Sequence, residues 1–307
     1  MMDTSDEWIV TRTGIRSRHV VEDGVATSDL AAEAARRVLS ARGLRGDDIE
    51  VIIICTVTPD TLFPSTACLV QDRIGAKGAW GFDLSAACSG FLYGLTTGAQ
   101  LIASGVHDRV LVVGADTMSG IVDYQDRSTC VLFGDGAGAM LLEPSLNGDT
   151  GLIDFLHEIE GAGGDLLYMP AGGSRMPASA ETVEKRLHFV HQSGKHVFKY
   201  AVRKMVEICT KLLERNGLTA VDLDCLLLHQ ANGRIIEAVA EKLGVPEEKT
   251  VNVIERFGNT TAATIPLATC DALSTGRLKN GDLVLMCAVG AGLTAGGTLW
   301  RWDDSAT

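Results

Sequence analysis

Short apolar runs alternate with longer segments of helical character along the first half of the chain. The run Val51-Ile52-Ile53-Ile54-Cys55 is apolar at every position and predicts a strand buried on both faces. Residues 80–84 and 110–113 predict two further strands, with an apolar, glycine-bearing helix between them at about 88–103. Strands that alternate with helices in this way are typical of an α/β architecture with a largely parallel sheet.

The second half of the chain repeats this order. Gly105 matches Gly276 and Asp108 matches Asp282, so corresponding landmarks keep a nearly constant offset. Such a repeat indicates an internal duplication with a period near the length of one α/β domain. The repeated elements are predicted as strands at 225–228, 251–254 and 283–287 and a helix at 260–273.

The ends of the two halves also correspond. The glycine-rich run 134–138 leads into an apolar strand, and the run 290–292 does the same near the end of the chain. We therefore predict two duplicated units, residues 1–150 and residues 151–307, with their boundary in the glycine-bearing stretch 147–151. Residues 161–185 contain GAGGD, MPAGG and SRMP, which predict a long loop or insertion beside the active site or a partner surface.

Composition narrows the function classes. Of 307 residues, 46% are hydrophobic and 21% are charged, which is typical of a globular protein with a large core. The net charge of −12 argues against binding to nucleic acid or to an anionic membrane, since both attract basic proteins.

Compartment and cysteine chemistry follow from the same sequence. No apolar run approaches the ~20 residues that span a bilayer, and the start MMDTSDEWIV lacks the basic and apolar regions of a secretory signal, so we expect the cytosol. Eight scattered cysteines without a C-x-x-C pair favour buried thiols over disulfides or a zinc site, and no metal is expected.

Cys88 is the candidate nucleophile. It follows the strand at 80–84 and lies near the start of the helix predicted at 88–103, in the small-residue segment Ser-Ala-Ala-Cys-Ser-Gly. Unsatisfied amides and the helix dipole at such a position favour a thiolate, and the small neighbours would let a thioester approach. A cysteine that merely packs at a tight turn is the alternative.

His229 and Asn259 complete the candidate constellation. His229 ends the strand at 225–228, so its ring is expected at the carboxyl edge of the sheet, where open α/β folds bind ligands. By the duplication, Asn259 occupies nearly the position that Cys88 has in the first half. Two equivalent helix starts can face each other in a pseudo-twofold molecule, which would bring the three residues together. Taken singly, His229 could be a satisfied hydrogen bonder and Asn259 an ordinary helix cap.

Five motifs, in order and spread over nearly the whole chain, resemble those of the β-ketoacyl-acyl-carrier-protein synthase III family: DTSDEWIVTRTGIRSRH, AACSGF, DRSTCVLFGDGAGA, HQANGRI and RFGNTTAATIP. The resemblance implies an α/β thiolase fold of duplicated α/β/α layers with mixed five-stranded sheets. It also implies a homodimer that uses CoA thioesters as substrates and needs no cofactor.

The resemblance further implies a ping-pong reaction that starts fatty-acid chains. Cys88 would take an acyl group from acyl-CoA, with the amides of Cys88 and Ala291 as the oxyanion hole. Malonyl-acyl-carrier-protein would then lose carbon dioxide, and its carbanion would attack the acyl thioester. His229 and Asn259 would stabilise the enolate by hydrogen bonds. Ala291 departs mildly from the glycine of relatives, but a backbone donor survives that change.

Binding roles are implied in the same way. Trp8 and Arg127 resemble the pair that sandwiches the CoA adenine, and Arg12 would approach the CoA phosphates. Phe63 matches the residue that closes the acyl pocket of the partner subunit. Core packing for the aromatics and a solvated surface for Arg12 are the alternatives. The positions that match the pantetheine tunnel are Gly194, Phe198, Ala231 and Asn232.

An acyl-carrier-protein surface is predicted from helix geometry. Lys195, Lys199 and Arg203 are spaced i, i+4, i+8, so on a helix they would form one basic stripe that could guide an acidic carrier protein. Gln230 and Arg234, near the histidine motif, could extend it. A plain solvated helix face is the alternative, and Lys195 stands where some relatives have asparagine.

One departure concerns the start of the chain. Family members usually carry a strand ahead of DTSDEWIV, whereas this sequence begins almost on that motif, so the first edge strand is expected to be missing. Its absence would expose the neighbouring strand.

Several other functions remain open at this stage. A specialised acyltransferase or an alkylquinolone-type synthase of the same subfamily would keep Cys88 and use another acceptor. A cysteine hydrolase would use the same residue types with water, and a binding protein without catalysis is the third possibility.

Overall fold

A computed structural model describes residues 4–145 and 148–303. The first sheet contains four strands in the order β2-β1-β3-β4, with β1 parallel to both neighbours and β4 antiparallel to β3. The elements of this region are β1 (Val51–Cys55), β2 (Trp80–Leu84), β3 (Val110–Asp116), β4 (Gly136–Leu142), α1 (Asp6–Thr13), α2 (Thr27–Arg42), α3 (Thr66–Ile74) and α4 (Gly90–Ala103).

The second sheet contains five strands in the order β5-β11-β10-β8-β9, and β6 and β7 form a separate small ladder. The strands of this region are β5 (Gly151–Ile159), β6 (Leu167–Tyr168), β7 (His191–Gln192), β8 (Cys225–Leu228), β9 (Thr250–Val251), β10 (Leu283–Gly290) and β11 (Thr294–Arg301). The helices are α5 (Ala180–Glu184), α6 (Gly194–Arg215), α7 (Gly233–Leu243), α8 (Ile254–Phe257) and α9 (Thr264–Ser274).

The two sheets enclose a layer of buried helix. Val51, Ile53 and Cys55 of β1 pack in one apolar cluster with Phe91 of α4 and Ile265 of α9, and strands β8 and β10 contribute to the same cluster. The alternate residues of β1 face α2 and α3, while α6 and α7 cover the outer side of the second sheet. The result is five layers in the order α/β/α/β/α, which is the predicted layering.

The duplication is visible in strand register. Val51 of β1 pairs with Val110 of β3, and Cys225 of β8 pairs with Val284 of β10. One common shift along the sequence, which we call the register shift, therefore carries position 51 to 225 and position 110 to 284. Each central pair is parallel, and each is followed by an antiparallel strand, β4 or β11. The sheets are mixed, as expected, because β4 and β11 run antiparallel to the strands that precede them.

Two expectations about the elements need correction. The strand predicted at 251–254 is confined to β9, because the chain leaves the sheet after Val251 and Ile254 begins α8; the Val253 amide donates to the Gln230 side chain instead. Within the described residues the first sheet has four strands with β4 at its edge, in agreement with the expectation that the first edge strand is missing. The segment 161–185 is only partly irregular, since it contains β6 and α5, and β6 pairs with β7.

Two further points concern the boundary and the membrane. The proposed boundary includes residue 147, which lies outside the described residues, and Gly151 begins β5. In the described part of the chain, no helix is both long and apolar enough to cross a membrane.

Candidate active site

Cys88 lies in a tight turn between β2 and α4. A short 3-10 turn covers Ala87–Ser89, and Ala87 has a left-handed φ of 48°. The Ser89 hydroxyl donates to the Ala86 carbonyl at 2.8 Å, which holds the turn closed. Cys88 itself is 5% exposed, so this turn places a buried thiol at the start of a buried helix.

The electrostatics of Cys88 differ from the expected thiolate. Burial raises the pKa of the Cys88 thiol to about 12, and the buried carboxylate of Asp116 adds to this effect, while the amide of Cys88 opposes it. At physiological pH the thiol is therefore protonated. The amide and the helix dipole favour a thiolate, but desolvation and a carboxylate from another strand, which depend on the tertiary structure, outweigh them.

His229 stands at the carboxyl end of β8, as predicted. Its amide donates to the Cys287 carbonyl at 2.8 Å, which continues the β8–β10 ladder, and its ring is 2% exposed. Its Nδ1 lies 2.6 Å from the Thr264 hydroxyl. Burial lowers the pKa of His229 to about 3, so the imidazole is neutral at physiological pH.

Asn259 is fixed by both its backbone and its side chain. Its amide donates to the Leu132 carbonyl at 2.9 Å, and its carbonyl accepts from the Gly134 amide at 3.0 Å. Its Oδ1 accepts from the Thr261 amide at 3.0 Å, so Nδ2 is the end of the carboxamide that can donate to a ligand. Asn259 is 5% exposed.

One cavity of about 240 Å³ brings the three residues together. Cys88, His229 and Asn259 line its buried end, whereas its other lining residues include the exposed Arg12 and Arg127. The cavity therefore runs from the protein surface to the thiol. The wall also contains the predicted Trp8, Gly194, Phe198, Ala231 and Asn232.

Trp8 and two arginines form the outer end of this cavity. The Arg127 guanidinium lies 4.7 Å from the centre of the Trp8 ring, and the Arg12 guanidinium lies 5.4 Å from it. An aromatic ring needs about 7 Å between two faces that sandwich it, roughly twice a ~3.5 Å contact. The present spacing of Trp8 and Arg127 is thus a closed arrangement that a planar ligand would have to open.

Ala291 follows Gly290, the last residue of β10, which lines the cavity. The Thr294 hydroxyl lies 3.0 Å from the Ala86 carbonyl, 3.1 Å from the Ala291 carbonyl and 2.7 Å from the Ser89 hydroxyl. This bridge ties the Cys88 turn to the Ala291 turn. Of the described residues around the cavity, Gly290 is in the wall and Ala291 lies just beyond it.

Phe63 lies on the loop between β1 and α3 and is 85% exposed, beside Leu62 at 84%. It is not in the wall of this chain's own cavity. Two adjacent large apolar side chains in water are unusual for a loop without a partner.

The predicted basic stripe is present in part. Lys195, Lys199 and Arg203 all lie exposed on α6, but Arg203 is within 4.0 Å of Glu160 and 3.7 Å of Glu207, which offset its charge. Arg234 is exposed on α7, which packs against α6.

The expectation that Gln230 contacts a carrier protein is wrong. Gln230 is 1% exposed, and its side chain bonds the backbone of Leu228, Val251 and Val253. It therefore holds the end of β8 against the chain after β9.

Comparison with known proteins identifies the family. The model of 3-oxoacyl-[acyl-carrier-protein] synthase III matches residues 82–161, and the model of its C-terminal part matches residues 213–302. The β-ketoacyl-[acyl-carrier-protein] synthase III of Solibacter usitatus is 63% identical over 98% of this chain and 92% of its own length. That of Koribacter versatilis is 57% identical over 98% and 91%. The chain belongs to the β-ketoacyl-acyl-carrier-protein synthase III family.

Solved structures agree with this assignment. The crystal structure of the synthase III from Aquifex aeolicus has 43% identity and a TM-score of 0.89, covering 98% of this chain and 92% of its own. The Pseudomonas aeruginosa structure has 41% identity and a TM-score of 0.90, covering 98% and 91%. The thiolase fold expected from the motifs is confirmed, and the protein is a condensing acyltransferase that initiates fatty-acid synthesis. A specialised acyltransferase or alkylquinolone-type synthase is not favoured.

Four residues around the synthase III site were not identified from the sequence. Thr264 contacts the His229 ring, Thr294 bridges two turns, Gly290 permits close approach to the Cys88 turn, and Asp116 is buried beside the Asn259 turn. A signal existed for Asp116 alone, because an aspartate ends the otherwise apolar run Val-Leu-Val-Val-Gly-Ala-Asp.

Proposed function

We propose that this protein condenses a short acyl-CoA primer, acetyl or branched, with malonyl-acyl-carrier-protein through an acyl-enzyme on Cys88. The observation that carries the proposal is the single cavity that joins the Cys88 thiol, the His229 ring and the Asn259 side chain to the surface at Trp8 and Arg127. The products are 3-oxoacyl-acyl-carrier-protein, CoA and carbon dioxide.

Acylation is proposed as the first half-reaction. The Cys88 sulfur attacks the thioester carbonyl carbon, the bond from carbon to the CoA sulfur breaks, and the thiol proton leaves with CoA. The carbonyl oxygen gains negative charge, and the amides of Cys88 and Ala291 are the proposed donors to it. The Thr294 bridge supports this role, since it keeps the Cys88 and Ala291 turns at a fixed separation.

Decarboxylation and condensation form the second half-reaction. Loss of carbon dioxide from the malonyl group leaves an enolate whose thioester oxygen accepts hydrogen bonds from His229 and Asn259. The enolate carbon then attacks the acyl carbonyl, and the bond to the Cys88 sulfur breaks and releases the thiolate. Both donors are uncharged and buried, so they are preorganised for an oxyanion in a site of low polarity.

The donor role requires one tautomer of His229. A neutral imidazole donates from Nε2 only when Nδ1 is unprotonated, and a hydrogen bond donated to Nδ1 favours that tautomer. The Thr264 hydroxyl is 2.6 Å from Nδ1 and can donate that hydrogen bond, although it also lies 3.1 Å from the Thr261 carbonyl. We therefore assign Thr264 as the residue that sets the tautomer.

CoA recognition is proposed at the outer end of the cavity. Arg127 would move off the Trp8 ring until about 7 Å separates the two faces, so that the adenine enters between them. Arg12, on the same side of Trp8, is exposed and suited to phosphate oxygens. The pantetheine arm would then pass Gly194 and Asn232 on its way to Cys88.

Carrier-protein docking is proposed beside the same opening. Lys195 follows the cavity residue Gly194, and Arg234 lies two residues after the cavity residue Asn232. Together with Lys199 they place exposed positive charge next to the mouth of an otherwise acidic protein. This arrangement favours an acidic carrier protein that inserts its prosthetic arm there.

A homodimer is the proposed assembly, with Phe63 inserted into the partner. The adjacent exposure of Leu62 and Phe63 supports it. We expect Phe63→Asp to shift the mass measured by sedimentation from dimer to monomer. Val221→Asp is the matched control, because Val221 is 82% exposed on the other half of the chain. A monomeric parent protein would contradict the proposal.

The reaction is tested by following each half separately. Purified protein with acetyl-CoA should gain one acetyl group in its intact mass, and addition of malonyl-acyl-carrier-protein should remove that group and yield the 3-oxoacyl product. Rapid release of free acetate would indicate a hydrolase, and an absence of acylation would contradict the proposal.

A further inference from the structure

The turns that carry Cys88 and Asn259 are copies of one structural unit. Ala87 and Thr261 both have a left-handed φ, 48° and 52°, and each opens a short 3-10 turn followed by a buried helix. The register shift that relates the strands also carries position 87 to 261. The counterpart of Cys88 is therefore Ala262, whereas Asn259 lies three residues earlier in its own turn. The near-equivalence of Cys88 and Asn259 expected from the sequence is corrected accordingly.

Each turn packs against the end of the central strand from the opposite half. A Cβ atom at Gly290 of β10 would lie 2.8 Å from both the Ala86 carbonyl and the Cys88 amide. A Cβ atom at Gly114 of β3 would lie 2.4 Å from the Ala262 carbonyl. In both places the backbone of the turn is in close contact with a glycine of the strand. Neither turn can therefore move closer to its strand.

The two strand ends differ at one matched position. The register shift carries position 116 to 290, so the counterpart of Gly290 is Asp116. Gly290 places no side chain beside the Cys88 amide, which leaves that amide for the thioester oxygen in the proposed reaction. Asp116 instead reaches the counterpart amide, since its Oδ2 accepts from the Ala262 amide at 3.1 Å.

Asp116 is fully buried and held by neutral donors. Its Oδ1 accepts from the Val57 amide at 2.8 Å, from the Thr56 hydroxyl at 2.9 Å and from the Thr58 hydroxyl at 3.0 Å. Three bonds thus anchor the carboxylate to the segment after β1, and the fourth crosses to the other half of the molecule.

We propose that Asp116 is a positioning residue whose carboxylate permanently occupies the second half's copy of the oxyanion pocket and thereby fixes the turn that holds Asn259. The coupling is short: Asp116 holds the Ala262 amide, Ala262 follows the strained Thr261, and the Thr261 amide orients the Asn259 carboxamide. This inference rests on the proposed function, in which Asn259 acts on the malonyl group and not in acylation.

The structure suggests a selective substitution. In Asp116→Asn, the carbonyl oxygen can keep the three donors that now meet Oδ1, so the amide nitrogen must face the Ala262 amide, donor against donor. The turn should move without loss of the anchor. We expect malonyl-acyl-carrier-protein decarboxylation and condensation to fall at least about tenfold in kcat with little change in KM. Acetylation by acetyl-CoA should not fall, because loss of the Asp116 charge lowers the pKa of the Cys88 thiol.

A matched control separates positioning from general destabilisation. Asp83 also accepts two backbone amides, those of Thr66 and Ala67 at the start of α3, so Asp83→Asn removes a comparable charge in the same sheet. It should lower the thermal midpoint without changing the ratio of the two half-reactions. If Asp116→Asn does not fold, Thr56→Val weakens the anchor with the carboxylate retained, and Thr56→Ser should restore the parent ratio.

The outcomes are distinct. An unchanged ratio of half-reactions in a folded Asp116→Asn or Thr56→Val variant overturns the inference, and so does an equal loss of both. If the parent protein neither acetylates nor decarboxylates, the proposed function fails instead, independently of every variant. Asn259→Ala serves as the reference for selective loss of the second half-reaction.

Discussion

The Nδ1 atom of His229 and the hydroxyl of Thr264 lie 2.6 Å apart at the buried end of the cavity. Because burial keeps the pKa of His229 low and the ring neutral, only one ring nitrogen carries a proton, and the proposed donor role of His229 places that proton on Nε2 with Thr264 donating to Nδ1. The residue proposed to set the tautomer of His229 is thus on the helix that follows the Asn259 turn, not on the histidine's own strand.

The first prediction concerns this contact. Thr264→Val should lower malonyl decarboxylation about tenfold, because loss of one hydrogen bond of ~1.4 kcal/mol removes the preference for the Nε2 proton. Thr264→Ser should retain activity, since it keeps the hydroxyl. Acetylation of Cys88 measured by intact mass should be unaffected in both. Equal decarboxylation rates for the valine and serine variants would contradict the assigned tautomer.

The second prediction concerns CoA binding at Trp8. CoA should quench the fluorescence of Trp8 as adenine displaces the Arg127 guanidinium from the ring, and Trp8→Phe should abolish this part of the signal. Arg127→Ala should raise the Kd for CoA by about tenfold, since it removes one face of the sandwich. Arg36→Ala, on the exposed side of α2, is the matched control. Full quenching in Trp8→Phe would exclude the proposed adenine site.

The third prediction concerns the carrier protein. A Lys195→Glu, Arg234→Glu variant should raise KM for malonyl-acyl-carrier-protein at least about tenfold at low salt, with unchanged kinetics toward acetyl-CoA. The difference from the parent should shrink as salt rises, because exposed charges are screened. Lys242→Glu, at the far end of α7, should behave like the parent. A similar KM effect from Lys242→Glu would show that net charge, not this face, matters.

The fourth prediction concerns acid stability. Burial lowers the pKa of His157 to about 4 and that of His229 to about 3, whereas both would protonate near 6.5 when unfolded. The stability that depends on keeping these two rings neutral is fully present above pH 6.5. It is lost as the pH falls toward their pKa values in the folded state, because the unfolded chain then binds more protons. Asp116 works the other way, since burial raises its pKa to about 6 and favours the fold as pH falls below that value.

The destabilisation from two histidines exceeds the stabilisation from one aspartate. The urea concentration at the unfolding midpoint should therefore decrease as the pH is lowered from 6.5 to 4.5. His157→Phe should reduce the slope of this loss, because His157 is stacked on Tyr93 away from the cavity and its ring can be replaced by another aromatic. A slope equal to that of the parent would show that His157 does not contribute.

The sequence was sufficient for the elements that depend on local patterns. The all-apolar run of β1 predicted the bounds found in the structure, and Cys88 and His229 follow β2 and β8 as their neighbours predicted. Local patterns could not predict which side chains are buried by contacts between different layers of the fold. Gln230 looks like a surface residue in HQANGRI, yet its side chain is buried and bonds the backbone of Leu228 in β8, of Val251 at the end of β9 and of Val253 just after it.

Charge effects between distant segments were also beyond the sequence. The Cys88 pKa depends on burial and on Asp116, which ends a later strand and reaches the site through the β1–β3 pairing. Strand register supplies what the pattern lacked, because one register shift matches Asp116 with Gly290 and Cys88 with Ala262. The matches of Gly105 with Gly276 and of Asp108 with Asp282 imply different spacings between the two halves. The sequence alone therefore could not assign the counterparts of Asp116 and Cys88.

Acyl transfer to Cys88 followed by decarboxylative condensation is the central claim, and intact-mass analysis of one purified sample tests it most directly. The parent protein should gain one acetyl group from acetyl-CoA and lose it to malonyl-acyl-carrier-protein with formation of the 3-oxoacyl product, and Cys88→Ala should do neither. Acetylation of the Cys88→Ala variant at the parent rate, or a parent acetyl-enzyme that malonyl-acyl-carrier-protein does not discharge, would contradict the account.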